Sequence, residues 1–209
     1  MFLECVSVGE LEANCFVLCD EETKIGAVID LGEYTEEVKT AIKNSGMEKL
    51  GYILCTHGHF DHITGVSKIK KDYPDAKICI GKEDAPYLEN GLLSLATIFK
   101  ADFEPCNPDV EFSHGDSFSI GKINVKIHSA PGHTPGGVLY VLEDERIIFT
   151  GDTLFCGSVG RTTFKGGDAF ALLRTLKMMK EFPDDYVIHT GHGESSTIGY
   201  EKRTNMFLK

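Results

Sequence analysis

The chain has 209 residues, 42% of them hydrophobic and 25% charged, and a formal net charge of −11. That length supports one substantial core without disulfide help, and the composition is ordinary for a globular protein. The acidic balance opposes attraction of nucleic acid or an anionic membrane surface, and no run of about 18 apolar residues is present to span a bilayer.

The first residues predict strands over Phe2–Val8, Cys15–Cys19 and Ile25–Ile29, the last ending at Asp30-Leu31-Gly32. Val38, Ala41 and Ile42 share one face of a helix over Thr35–Asn44, with Thr35 as N-cap and Gly46 as stop. Leu50–Cys55 is a buried type of strand leading into a histidine-rich segment. A helix over Val66–Lys71, a strand over Lys77–Ile80 and a helix over Glu83–Leu88 follow. Within Glu89–Asp109 only Leu92–Phe99 has a helical pattern, and the stretch suits a lid or a structured insertion. Strands return at Ser117–Ile120, Ile123–His128, Gly137–Leu142 and Ile147–Thr150. An amphipathic helix over Asp168–Lys180 follows, with Phe170, Leu173, Leu176 and Lys177 framing its faces, then a strand over Tyr186–Thr190 and a short helical tail. This order fits an α/β architecture of two sheets covered by helices better than one parallel sheet. With no linker, repeat or low-complexity tract, residues 1–209 read as one domain.

Thr56-His57-Gly58-His59-Phe60-Asp61-His62 carries most of the chemistry. Imidazole nitrogen is a preferred ligand for zinc and other transition metals, and Asp oxygen supports it. On an extended chain side chains alternate, which puts His57, His59 and Asp61 on one side and His62 elsewhere unless the chain turns. Three later loops repeat the form of a strand, a glycine and a ligand: Gly132-His133, Gly151-Asp152 and Gly191-His192. Together these residues suffice for two ions. His57, His59 and His133 would hold one, Asp61, His62 and His192 the other, with Asp152 bridging. His114 reads as a solvated turn residue, and His128 and His189 as packing or supporting residues.

Seven cysteines form an odd set without a Cys-x-x-Cys pair, mostly within apolar runs, which suits a reducing compartment. Cys156, near Asp152, is the one thiol placed to face the site. The N-terminus shows no basic region followed by an apolar run, so a cytoplasmic protein is expected.

The words Thr56–His62, Gly132–Gly136, Gly151–Phe155 and Gly191–Gly193, in this order, resemble the metallo-β-lactamase superfamily and within it the glyoxalase II-like (hydroxyacylglutathione hydrolase) branch. The resemblance implies an αββα sandwich with the site at one edge between the sheets, and the ligand assignment above. About 17 residues follow His192, so the chain is similar to the short bacterial forms without the C-terminal helical domain that helps grip glutathione. Arg161 stands where family members place a basic substrate contact, and a structural salt bridge is an equal reading of it. Lys165 is a further candidate for substrate binding.

The function this implies is hydrolysis of a small-molecule thioester, such as an S-2-hydroxyacylglutathione, by a metal-bridging hydroxide. Two divalent ions are expected, zinc by default, with iron or manganese also suited to these N/O ligands. Asp61 and Asp152 are the catalytic carboxylates, fixing the nucleophile. A thiolate leaves without a dedicated acid, since thiol pKa is about 8.5. The alternative by resemblance is a mononuclear iron persulfide dioxygenase with His57, His133 and Asp152 as ligands. A metal-binding protein without catalysis is the third reading.

Overall fold

A computed structural model describes residues Met1 to Lys209. Its first sheet runs in sequence order: β1 (Phe2–Val8), β2 (Ala13–Asp20), β3 (Ile25–Ile29), β4 (Lys49–Leu54), β5 (Lys77–Gly81) and β6 (Val110–Phe112). β1 to β3 are antiparallel, and β3 to β6 are parallel. Parallel neighbours need crossovers. These carry α1 (Glu36–Asn44), the single turn α2 (Phe60–Ile63), α3 (Val66–Asp72) and the short α4 (Ala96–Phe99).

The second half contributes β7 (Ser117–Ile120), β8 (Ile123–Ser129), β9 (Val138–Leu142) and β10 (Ile147–Gly151). A small hairpin follows, β11 (Leu154–Phe155) with β12 (Ser158–Val159). Then come α5 (Ala169–Met179), β13 (Val187–Thr190), β14 (Ser196–Thr197) and α6 (Ile198–Thr204). The second sheet has spatial order β14-β13-β10-β9-β8-β7.

Strand alternation divides the apolar residues among three packed layers. In β2, Cys15 and Val17 face α1 and α3, while Phe16 and Leu18 face the other sheet. In β9, Val138, Tyr140 and Leu142 meet them, while Leu139 and Val141 face α5. Burial on both faces is why these strands read as continuous apolar runs. The architecture is an αββα sandwich, as the sequence implied.

Several elements differ from expectation. The predicted helix over Glu83–Leu88 is a 3₁₀ helix over Lys82–Leu88, because Pro86 inside it lacks an N–H donor. Leu92–Leu95 is turn and bend, and only Ala96–Phe99 is helical. Asp168 precedes α5 as its N-cap, accepting from Phe170 N at 2.8 Å and Ala171 N at 3.0 Å. That helix buries Ala171, Leu172, Thr175, Leu176 and Met179 and leaves Phe170 76% and Leu173 54% exposed, so of the apolar residues framing its faces only Leu176 enters the core. No helix is long and apolar enough to cross a membrane.

Candidate metal centre

Each candidate ligand follows the C-terminal end of a strand: β4, β8, β10 or β13. Beyond β4 the backbone bends at Thr56 and His57, and His59, itself extended, is the N-cap of α2. The chain then turns, correcting the simple alternation expected through Asp61. The turn carries Asp61 away from His57 and His59 and toward His192, whose Nε2 lies 3.2 Å from Asp61 Oδ2.

Two groups of side chains result. His57, His59 and His133 are buried and offer ligand atoms all within 4.8 Å of one another, with His59 Nδ1 2.7 Å from His133 Nε2. Asp61, His62 and His192 form the second group within the same limit, with His62 Nε2 3.3 Å from His192 Nε2. Asp152 lies between them. Its Oδ2 is 3.4 Å from His133 Nε2, and its Oδ1 is 3.3 Å from His62 Nε2 and 3.7 Å from His192 Nε2. Glycines make this approach possible: a Cβ on Gly191 would collide with Asp152 Oδ1, and one on Gly160 with the Asp152 carbonyl.

The imidazoles are oriented by partners on their other nitrogens. His57 Nδ1 donates to Thr56 Oγ1 at 3.1 Å, His133 Nδ1 to the Arg161 carbonyl at 2.7 Å and His192 Nδ1 to the Leu11 carbonyl at 3.0 Å. Each arrangement leaves Nε2 with a free lone pair, the form a metal requires. Asp30 sits within 4.8 Å of His57 and His62, so proximity alone makes it a ligand candidate. Both its oxygens already accept from Thr56, from N and Oγ1 at 2.7 Å each, and Oδ2 is 3.3 Å from His62 Nδ1. Asp30 therefore supports the ligands rather than completing a set.

Two more supports have no signature in the sequence. Asp84, fully buried, accepts from Gly58 N at 2.9 Å and Gly136 N at 2.7 Å, tying the His57–His59 loop to the His133 loop. Asn14 Nδ2 donates to the carbonyls of Thr190 and Gly193, both at 2.9 Å, holding the His192 loop against β2.

Electrostatics sort the two groups. Burial pushes His57 and His133 below the usual histidine range and His59 down to about 3, so all three are neutral. Burial opposes charge on His62 too, yet Asp61 and Asp152 hold it well above that range. Asp152 is held well below the carboxylate range against its burial, chiefly by His62. His57 Nε2 and Asp152 Oδ1 are shut off from solvent without a hydrogen-bond partner. Buried lone pairs of this kind are costly unless something bonds to them. The five imidazoles and two carboxylates thus fit divalent transition-metal ions.

A cleft of about 510 Å³ runs over the ligands and is lined further by Leu11, Phe60, Phe99, Phe155, Phe164 and Arg161. Arg161 stacks its guanidinium over Phe164 at 5.2 Å. Lys165 does not line this cleft, and its carbonyl accepts from Tyr87 Oη at 3.4 Å. Cys156 is exposed in the β11–β12 turn, outside the cleft lining. His189 packs on Phe16 and Phe149, His128 on Phe182, and His114 Nδ1 accepts from Ser129 N, so none joins either group.

An αββα sandwich with paired His/Asp groups at its strand ends describes a class of metal-dependent hydrolases. A family model described as the metallo-beta-lactamase superfamily matches residues 8–192, and the chain belongs to that superfamily. It is 33% identical over 211 residues to hydroxyacylglutathione hydrolase GloC of Haemophilus influenzae, covering 100% of this chain and 98% of that one. The crystal structure of BLEG-1 B3 metallo-beta-lactamase matches with a TM-score of 0.92 at 29% identity, over 100% of both chains. That of TTHA1623 in a di-iron-bound form matches with a TM-score of 0.87 at 32% identity, covering 98% of this chain and 100% of that one.

Proposed function

We propose that the protein is a binuclear metallohydrolase cleaving a thioester such as an S-2-hydroxyacylglutathione. The observation that carries this reading is Asp152, whose two oxygens face the two ligand groups. His57, His59 and His133 would hold one ion and Asp61, His62 and His192 the other, with Asp152 common to both. Bound there, divalent ions supply hydroxide at neutral pH and polarise a carbonyl oxygen.

The chain does the rest. Asp61 and Asp152 offset the positive charge and fix the attacking oxygen. The neutral imidazoles of His57, His59 and His133 keep their lone pairs free of protons. Apart from the ligands, the cleft lining is apolar except for Arg161. A guanidinium is a poor proton donor at neutral pH, so an amine leaving group finds no acid there, whereas a thiolate needs none. Arg161 is suited to a carboxylate on the substrate. The name of the Haemophilus relative supports the same chemistry. The di-iron form of TTHA1623 puts iron beside zinc and manganese as ions to load. All seven cysteines are free, in keeping with a reducing cytoplasm as the working compartment.

The test is thiol release from S-lactoylglutathione by protein loaded with zinc or iron, with His59→Ala as control and a β-lactam as competing substrate. Metal-dependent release is expected, and its absence from fully loaded protein overturns the reading. The persulfide dioxygenase alternative uses His57, His133 and Asp152 as iron ligands, with Asp61, His62 and His192 supporting them. It assigns no role to His59, whose Nδ1 lies 2.7 Å from His133 Nε2. Oxygen uptake with glutathione persulfide would favour it.

A further inference from the structure

Beyond its ligands the cleft surface is aromatic. Phe60, between His59 and Asp61 in sequence, stacks on Phe99 with ring centroids 4.9 Å apart and planes 19° from parallel. Both rings line the cleft, and Phe99 is 50% exposed. Phe99 belongs to none of the three core clusters, so packing of the interior does not account for its position.

The backbone holds it there under constraint. α4 is entered through Leu95 at φ +70° and left through Lys100 at φ +56°. L side chains rarely adopt this left-handed conformation, and such residues collect at binding sites. Phe60 N donates to the Ser94 carbonyl at 2.9 Å. The residue that starts the ligand-bearing turn therefore also anchors the segment that presents Phe99.

A second cleft, of about 330 Å³, continues past Phe60, Asp61 and Phe99. Its charged lining is Glu10, Glu33, Asp61 and Asp102 against Lys68 and Lys100, and Lys68 is already paired with Asp102 at 2.7 Å. This end of the site repels carboxylates, whereas the Arg161 end attracts them. A thiol bearing carboxylates is thereby directed to Arg161, and the acyl group to the Phe60–Phe99 pair.

We propose that Phe99 is a specificity-determining residue that selects thioesters whose acyl group carries a large apolar substituent, aryl or branched alkyl, beside the carbonyl. This rests on the thioesterase reading and goes beyond it by naming the acyl class. A lactoyl methyl covers little of the ring pair, and a phenyl group in its place removes much more apolar surface from water.

S-mandeloylglutathione and S-lactoylglutathione share the thiol and the 2-hydroxyl and differ only in phenyl against methyl. For the metal-loaded protein the ratio of kcat/KM, mandeloyl over lactoyl, is expected to be about tenfold. Phe99→Ala should bring that ratio to about one, with Phe99→Leu between. A ratio near one in the unaltered protein, or one undiminished by Phe99→Ala, overturns the proposal. Binding of S-benzylglutathione and S-methylglutathione, followed by calorimetry, reads the same surface without any chemistry. Tighter benzyl binding that is lost in Phe99→Ala supports the apolar subsite, and equal or absent binding overturns it. If neither thioester is cleaved the thioesterase reading fails, and the binding comparison still decides the subsite.

Discussion

The first sheet supplies four of the seven candidate ligands from one word, His57 to His62, on the turn from β4 into α2. The second sheet supplies three, His133, Asp152 and His192, each from its own loop. In the first sheet one strand end places every candidate ligand, and a support, Asp30, directly follows the adjacent strand β3. The second sheet's ligands draw their orientation from farther off. His133 is fixed by the Arg161 carbonyl, Asp152 has room because residues 160 and 191 are glycines, and the His192 loop is held by Leu11 in the β1–β2 turn and by Asn14 on β2. Ligands dense in sequence need little tertiary help, whereas scattered ones need a partner each. Asp84 joins the two arrangements by accepting from Gly58 on one and Gly136 on the other.

The largest expected effect falls on the residue shared by both groups. Asp152→Ala should lower bound metal per chain and reduce kcat/KM by roughly 10³-fold, measured by elemental analysis beside turnover. Full activity with one ion or none would sink the binuclear scheme. Next comes the tie between halves. Asp84→Ala should weaken metal affinity by about 10–100-fold in competition with a chelator, and unchanged affinity would mean that the loops hold their own geometry.

Asp84 also has a pH signature. Burial pushes its carboxyl up to about 6 from 3.8. A folded-state value above the unfolded one gives stability that is full below about pH 4 and lost as pH rises through about 6. The change is about 3 kcal/mol. Denaturant midpoints of metal-free protein should show this loss, and Asp84→Asn should lack that slope.

Smaller effects follow at single loops. Asn14→Ala strips the donors from the Thr190 and Gly193 carbonyls and should cost about 1–3 kcal/mol, with the ion beside His192 released first in stepwise chelation. Equal weakening of both ions would mean that Asn14 supports more than the His192 loop. Arg161→Ala should raise KM for a carboxylate-bearing thioester by about tenfold and leave kcat little changed. His133 is held by the main-chain carbonyl of residue 161, which this variant keeps, so a fall in kcat with KM unchanged would overturn the substrate-binding role.

Much of the candidate site was legible because metal-type side chains announce themselves chemically: three imidazoles and a carboxylate within Thr56–His62, then a glycine beside each later candidate. The two-sheet architecture followed from apolar runs buried on both faces. Reading failed where geometry depends on brief or distant features. α2 is a single turn, too short for periodicity to register, so alternation was carried one residue pair too far. α5 has apolar residues on both faces, and only packing against β9 and β10 decides between them. Asp84 and Asn14 act on backbone groups 26, 52 and 176 residues away, and no local pattern marks an acceptor or donor for so remote a partner.

The contact between Leu11 and His192 spans 181 residues, which bears on how the protein is born. A chain leaving the ribosome exposes His57 to His62 while the strand that carries His192 is still unmade. Contacts of such long range pay the greatest loop-closure entropy and form late. The first half therefore emerges with only part of each candidate group, and both groups are complete only once the strands of the second sheet have folded against it.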